Sequence, residues 1–160
     1  MNDLSALSVR DLLTLSANAI AELRARKIVR TGNNPIGDYT EWLVSSALNL
    51  SLSENSAAGF DALSEKDERF QIKGRRITSS NPSRQLSAIR NLEAKDFDYL
   101  VAVVFDEAYE ILDAVQVPHE VVLEHAAFRQ HVNAHVVHVN AKLRSDPRVS
   151  CIRGLLAGLH

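Results

Sequence analysis

The run Tyr99-Leu100-Val101-Ala102-Val103-Val104-Phe105 carries an apolar side chain at all seven positions. A strand sends successive side chains to opposite faces, so a run of this kind is stable only where both faces are buried. It predicts a central strand in a sheet, with a covering layer on each side. No longer uninterrupted apolar run occurs in the 160 residues, and a membrane helix needs roughly 20. No membrane span is expected.

Upstream of that run, Phe60–Ser64 and Arg69–Ile77 read as two short strands joined by the charged turn Glu65-Lys66-Asp67-Glu68. On the second, Phe70 and Ile72 take one face while Gln71 and Lys73 take the other. A Ser/Asn/Gly-rich connection precedes the pair. Before it lies a helix to about Leu48, with Asn34 as N-cap, Pro35 at the first helical position and Asp38 in the first turns. At about 100° per residue, Ile36, Tyr39, Leu43, Val44 and Ala47 form its apolar arc, and Glu41 falls at the edge of that arc. Tyr39 and Trp42 read as packing residues. An earlier helix spans Val9–Leu23, capped by Ser8 with Asp11, and Arg24, Arg26, Lys27 and Arg30 gather at its C-terminal end, where the helix dipole favours them. Its apolar stripe has two open uses, covering the sheet or joining a second subunit.

Downstream of the hairpin, Asn81-Pro82-Ser83 is expected to open a short helix to about Leu92. Beyond the central run, Tyr109–Val117 reads as a strand, Pro118 starts a helix to about Ala127, Ala134–Val139 forms a last strand, and Asp146-Pro147 opens a short final helix. Helices before and after a group of strands imply an α/β domain with helices flanking the sheet. The expected organisation is one domain over residues 1–160: a helical extension at 1–31, a core at 35–139 and a helical tail at 140–160.

Composition narrows the function classes. Eighteen Lys and Arg against twenty Asp and Glu give a formal charge of −2, which excludes a uniformly basic coat but leaves room for a local patch. Such a patch is present: residues 69–90 hold Arg69, Lys73, Arg75, Arg76, Arg84 and Arg90 and no carboxylate. Cations against phosphates release counterions, so this segment is the expected nucleic-acid surface, with Ser79, Ser80, Asn81 and Ser83 as further phosphate donors. Cys151 has no second cysteine to pair with and fits a reducing cytoplasm, where it reads as a small buried hydrophobe. His131, His135 and His138 are not expected to bind zinc, because strand alternation separates His135 from His138.

The chemistry-bearing constellation is Asp61 on the first strand of the hairpin and Gln71 and Lys73 on the second. Mg²⁺ takes hard oxygen ligands and keeps several waters, so Asp61 and the amide oxygen of Gln71 are sufficient donors, with Glu41 as a second carboxylate. Lys73 would orient the attacking water and offset the charge of a pentavalent transition state. In order along the chain, Glu41 after Asn34-Pro35-Ile36-Gly37-Asp38, then Gly59-Phe60-Asp61, Gln71-Ile72-Lys73 and Gly74-Arg75-Arg76 resemble the PD-(D/E)XK nuclease superfamily of restriction-endonuclease-like proteins. The resemblance covers residues 35 to 117. It departs from the superfamily pattern at Gln71, where most members carry Glu or Asp; branches similar to methyl-directed Mrr-type nucleases also carry Gln.

The resemblance implies an αβββαβ core with a mixed sheet, Asp61 and Gln71 as metal ligands, Lys73 as the catalytic lysine and Glu41 as the helical acid. It implies an endonuclease using Mg²⁺ or Mn²⁺ to hydrolyse DNA, in restriction, defence or repair. Two other readings stay open: a weak or inactive nucleic-acid-binding module of the same fold, and an assembly subunit built on the N-terminal helix. A two-fold homodimer would place two such sites on the two strands of a duplex.

Overall fold

A computed structural model describes residues 3–54 and 59–159; the middle of the Ser/Asn/Gly-rich connection lies outside the described residues. In chain order the elements are α1 (Val9–Ala25), α2 (Ile36–Leu48), β1 (Ser51–Leu52), β2 (Ala62–Leu63), β3 (Arg69–Arg76), β4 (Tyr99–Phe105), β5 (Ile111–Pro118), α3 (His119–His125), β6 (Ala127–Arg129), β7 (Ala134–Val136), α4 (Ala141–Arg144), β8 (Ser150–Cys151) and α5 (Arg153–Leu156). This is an α/β fold with a mixed central sheet in the order β1-β2-β3-β4-β5-β8; β3 and β4 run parallel and every other neighbouring pair is antiparallel. No helix among the described residues is long and apolar enough to cross a membrane.

β4 is the central strand its composition demands. Leu100, Ala102 and Val104 enter one core with Leu86, Ile89, Val117, Val121 and Leu143. Val101, Val103 and Phe105 enter another with Leu43 and Val44 of α2, Phe70 and Ile72 of β3, and Leu156 of α5. The strand therefore divides two cores, which is why none of its positions tolerates polarity.

α2 starts one residue later than expected, with Pro35 as its N-cap rather than its first helical residue; Asn34 Oδ1, one position earlier, still accepts from the Ile36 N–H at 3.1 Å. It lies close to β3 because position 74 is glycine. A Cβ there would collide with Thr40 Oγ1 and come within 3.1 Å of the Ile36 carbonyl. Thr40 is next to Glu41 and Gly74 next to Lys73, so this contact sets how near the two site-bearing elements come. Gly74→Ala is expected to cost about 1–3 kcal/mol in urea unfolding through overpacking and backbone displacement; wild-type stability in that variant would mean that the contact yields.

Several expectations are corrected. Residues 81–92 form no helix. The segment is extended and pairs with the chain after β6: the Leu86 N–H donates to the Val137 carbonyl at 2.9 Å, and Ile89 and His135 exchange backbone hydrogen bonds. Leu86 and Ile89 suit a helical spacing, but Ser83, Ser87 and Asn91 support a helix poorly, and burying both apolar residues against Val137 and Val139 decides the outcome. Ala134–Val139 contributes β7 not to the main sheet but to a separate two-stranded sheet with β6. Asp146-Pro147 makes a turn rather than a helix start, and the stretch expected as a helical tail returns to the sheet, as β8 pairs with β5 and Ile152 and Leu156 are buried. Cys151 is exposed on that edge strand, not buried.

α1 forms with the expected cap, Ser8 accepting from the Asp11 N–H at 3.2 Å, but none of its residues is buried. Its stripe does not cover the sheet.

Candidate active site at the open edge of β3

β2 pairs with β3 only at Phe70 and Arg69, so beyond Phe70 that edge of β3 is not taken by β2. Asp61, just before β2, turns its carboxylate onto this edge. Its Oδ2 accepts from the Ile72 N–H at 2.7 Å and from the Gln71 amide at 2.6 Å. The main-chain donor that a longer β2 would have used is satisfied by a side chain.

Gln71 and Lys73 lie on the face away from α2, as the alternation predicts. They line a cavity of about 420 Å³ with Gly59, Arg90 and Asp96, and the Lys73 Nζ donates to Ser87 Oγ at 2.9 Å. Glu41 arrives from the other layer and lines a cavity of about 410 Å³ with Asp61, Asp38 and Arg30. Asp61 is thus the common member. It bonds Gln71, shares a cavity with Glu41, and its charge acts on both Lys73 and Glu41.

Burial is the largest influence on the titration of all three charged groups. It pushes the Asp61 carboxyl up, against the opposing pull of the Ile72 N–H, Lys73, Gln71 and Arg30. Glu41 is raised by burial and by Asp61, with Arg30 opposing. Burial lowers Lys73, and Asp61 offsets part of that. The Asp61 charge thus disfavours that of Glu41 and favours the desolvated Lys73 ammonium.

A test follows from Glu41. A carboxyl raised in the folded state contributes stability that is complete below its unfolded value of about 4.3 and is lost as pH rises through the folded value. In Glu41→Gln that dependence is removed, so the variant should gain on wild type in urea unfolding as pH rises from about 4 to 7. A constant difference across that range would show that Glu41 titrates normally.

Gln71 departs from its expected part: the amide nitrogen, not the oxygen, faces Asp61. A carboxylate only accepts hydrogen bonds, so the donor end of the amide turns toward it. Among the described residues no group of three or more His, Cys, Asp and Glu converges to hold a metal. Asp61 and Glu41 line one cavity with Asp38 and Arg30, and this set is not an all-protein cage for a cation.

Sequence reasoning missed Arg30 and Ser87. The guanidinium of Arg30 pairs with Glu41 and donates to the Ser53 carbonyl at 3.2 Å, while the Arg30 and Thr31 N–H groups bind Asp38 Oδ2 at 2.8 and 2.7 Å. Arg30 thus serves the acidic cavity rather than the dipole of α1. Only the position of Asp38 eight residues later hinted at this. Ser87 was hidden by the helix expected at 81–92.

The expected basic patch is broken up by acids from distant parts of the chain. Arg69 pairs with Asp98 at 3.1 Å, Arg84 pairs with Asp113, and Asp113 also takes Arg144 at 3.1 Å. The Ser79 N–H is taken by the Glu107 carboxylate, and Ser80 contacts Thr78 at 3.0 Å. Arg76 binds the Glu107 carbonyl and stacks over Tyr109, 5.0 Å from the ring centre. Arg75 donates only to neutral oxygens, of Ser83 and Asn81, and Arg90 lines the Lys73 cavity. Arg84 and the Ser79 N–H are thus engaged by carboxylates, whereas the hydrogen bonds of Arg75 go to neutral oxygens.

No protein-family model matches the chain, and no curated protein is significantly similar to it.

Proposed function

We propose that this chain is a metal-dependent nuclease of the restriction-endonuclease-like kind that hydrolyses phosphodiester bonds of DNA. The observation that carries the reading is Asp61 at the open edge of β3, bonded to Gln71 and acting on the charges of Lys73 and Glu41. The order of elements supports it: a helix with the acid, three antiparallel strands with Asp61 just before the second and Gln71 and Lys73 on the third, then a buried strand parallel to the third. The crossover between β3 and β4 holds only a single 3-10 turn, Leu92–Ala94, where the superfamily pattern has an α-helix.

In this reading Asp61 and Glu41 hold the cation, and Gln71 and the Ile72 N–H keep Asp61 aimed at it. Bound Mg²⁺ would polarise a phosphoryl oxygen and lower the pKa of a coordinated water. Lys73, held by Ser87, orients the attacking water and offsets charge developing on the phosphoryl group. Arg30 must share Glu41 with the cation.

Incubating the protein with plasmid and linear DNA in Mg²⁺ or Mn²⁺ tests this. Metal-dependent nicking that disappears in Asp61→Ala and Lys73→Ala is expected; equal cleavage by the variants would sink the assignment. The second reading, a binding module of the same fold, is favoured by the amide at position 71 and the Arg30–Glu41 ion pair. It predicts salt-sensitive DNA retention without cleavage.

A further inference from the structure

A groove of about 620 Å³ lies beside the Lys73 cavity. Its walls come mainly from Arg75 and Arg76 on β3, Gln85–Ala88 in the extended segment, and Arg129, His131 and Val132 at and after the end of β6, with Asn34 and Ile36 at the start of α2. Three arginines, His131, Gln85 and Asn34 line it, and no carboxylate does. In a chain of formal charge −2, a groove whose charged lining residues are all cationic, set among apolar residues such as Leu86 and Val132, concentrates a positive field. Ala88 lines both this groove and the Lys73 cavity, and Ser87, which lines the groove, holds the Lys73 ammonium. The groove thus leads directly into the site.

Resting on the nuclease reading, we propose that this groove seats the phosphodiester backbone of the nucleic-acid strand flanking the bond at Lys73, with Arg75 and Arg129 as its phosphate contacts. The hydrogen bonds of Arg75 go to neutral oxygens, so no carboxylate in direct contact offsets its charge. Arg129 stands on an exposed part of β6, 54 positions from Arg75 in sequence, and only the pairing of the 84–89 segment with β7 brings the two walls together. Arginine contacts to phosphates carry no sequence information, so the groove binds by charge and not by sequence.

The test uses wild-type protein in EDTA, so that nothing is cut, with labelled single-stranded and duplex DNA and the matching RNAs, followed by anisotropy from 50 to 200 mM salt. Arg129→Ala and Arg75→Ala are each expected to weaken binding several-fold and to reduce the salt slope by about 1. Arg75→Lys should restore the slope, which separates lost charge from a loosened 81–83 segment. Arg10→Ala on exposed α1 is the control and should change nothing. Wild-type binding that Arg75→Ala and Arg129→Ala leave intact, with metal-dependent cleavage present, overturns the groove and leaves the nuclease reading standing. Absence of any wild-type binding at 50 mM salt overturns the groove, and cleavage in Mg²⁺ then decides the nuclease reading separately.

Discussion

Replacing Lys73 with Met should lower metal-dependent DNA cleavage by about 10²- to 10⁴-fold, the range for a group acting on a developing charge or on the attacking water, while leaving the fold intact. The expectation rests on the side chain's surroundings. Lys73 is drawn out of water beside Asp61, its Nζ donates to Ser87 at 2.9 Å, and burial lowers its pKa more than Asp61 restores it. The folded protein therefore disfavours the ammonium on balance, and exchanging it for an apolar side chain of similar length removes a cost. The sign with pH follows. The unfolded chain holds the Lys73 proton up to the ordinary value of about 10.4, above the folded value, so the cost is complete below the folded pKa and fades as pH rises toward 10. Lys73→Met should match or exceed wild type in urea unfolding at pH 7, and the gap should narrow at higher pH. Met at 73 with cleavage within threefold of wild type would remove Lys73 from the chemistry; a collapse of the fold would show that its charge interaction with Asp61 and its hydrogen bond to Ser87 stabilise it.

Phe105→Ala should destabilise the protein by about 3–5 kcal/mol. Phe105 ends the central strand, is wholly buried, and has its ring centre 5.6 Å from Tyr39 of α2 and 6.0 Å from Tyr109. Truncation leaves a void between the sheet and α2, whose position is already fixed at Gly74. For a domain of this size each kcal/mol lowers Tm by roughly 2–4 °C, so thermal unfolding followed by circular dichroism should show a drop of about 6–20 °C. Because α2 carries Glu41, residual cleavage should fall beyond the loss of folded protein. A change under about 1 kcal/mol would mean that the core closes over the void.

The parts of this protein legible in its sequence are those whose physics is local. The unbroken apolar run at 99–105 could only be a strand buried on both faces, the Ser8 cap started its helix where expected, the Asn34-Pro35 start of the next helix was legible to within one residue, and the period-two pattern at 70–73 placed Gln71 and Lys73 on the face opposite Phe70 and Ile72. Asp61 was legible too, because its place before the short strand sets it beside Gln71. What only tertiary structure decided involves partners far apart in the chain. Leu86 and Ile89 satisfy a helical and an extended reading equally, and the strand edge at 135–137 chose the second. The apparent cation cluster of 69–90 lost Arg69 to Asp98 and Arg84 to Asp113, since charge balance is settled in space and not along the chain. Arg30 in the acidic cavity, Ser87 on Lys73 and the groove from Arg75 to Arg129 all arise where distant segments meet, and no short-range pattern encodes such meetings.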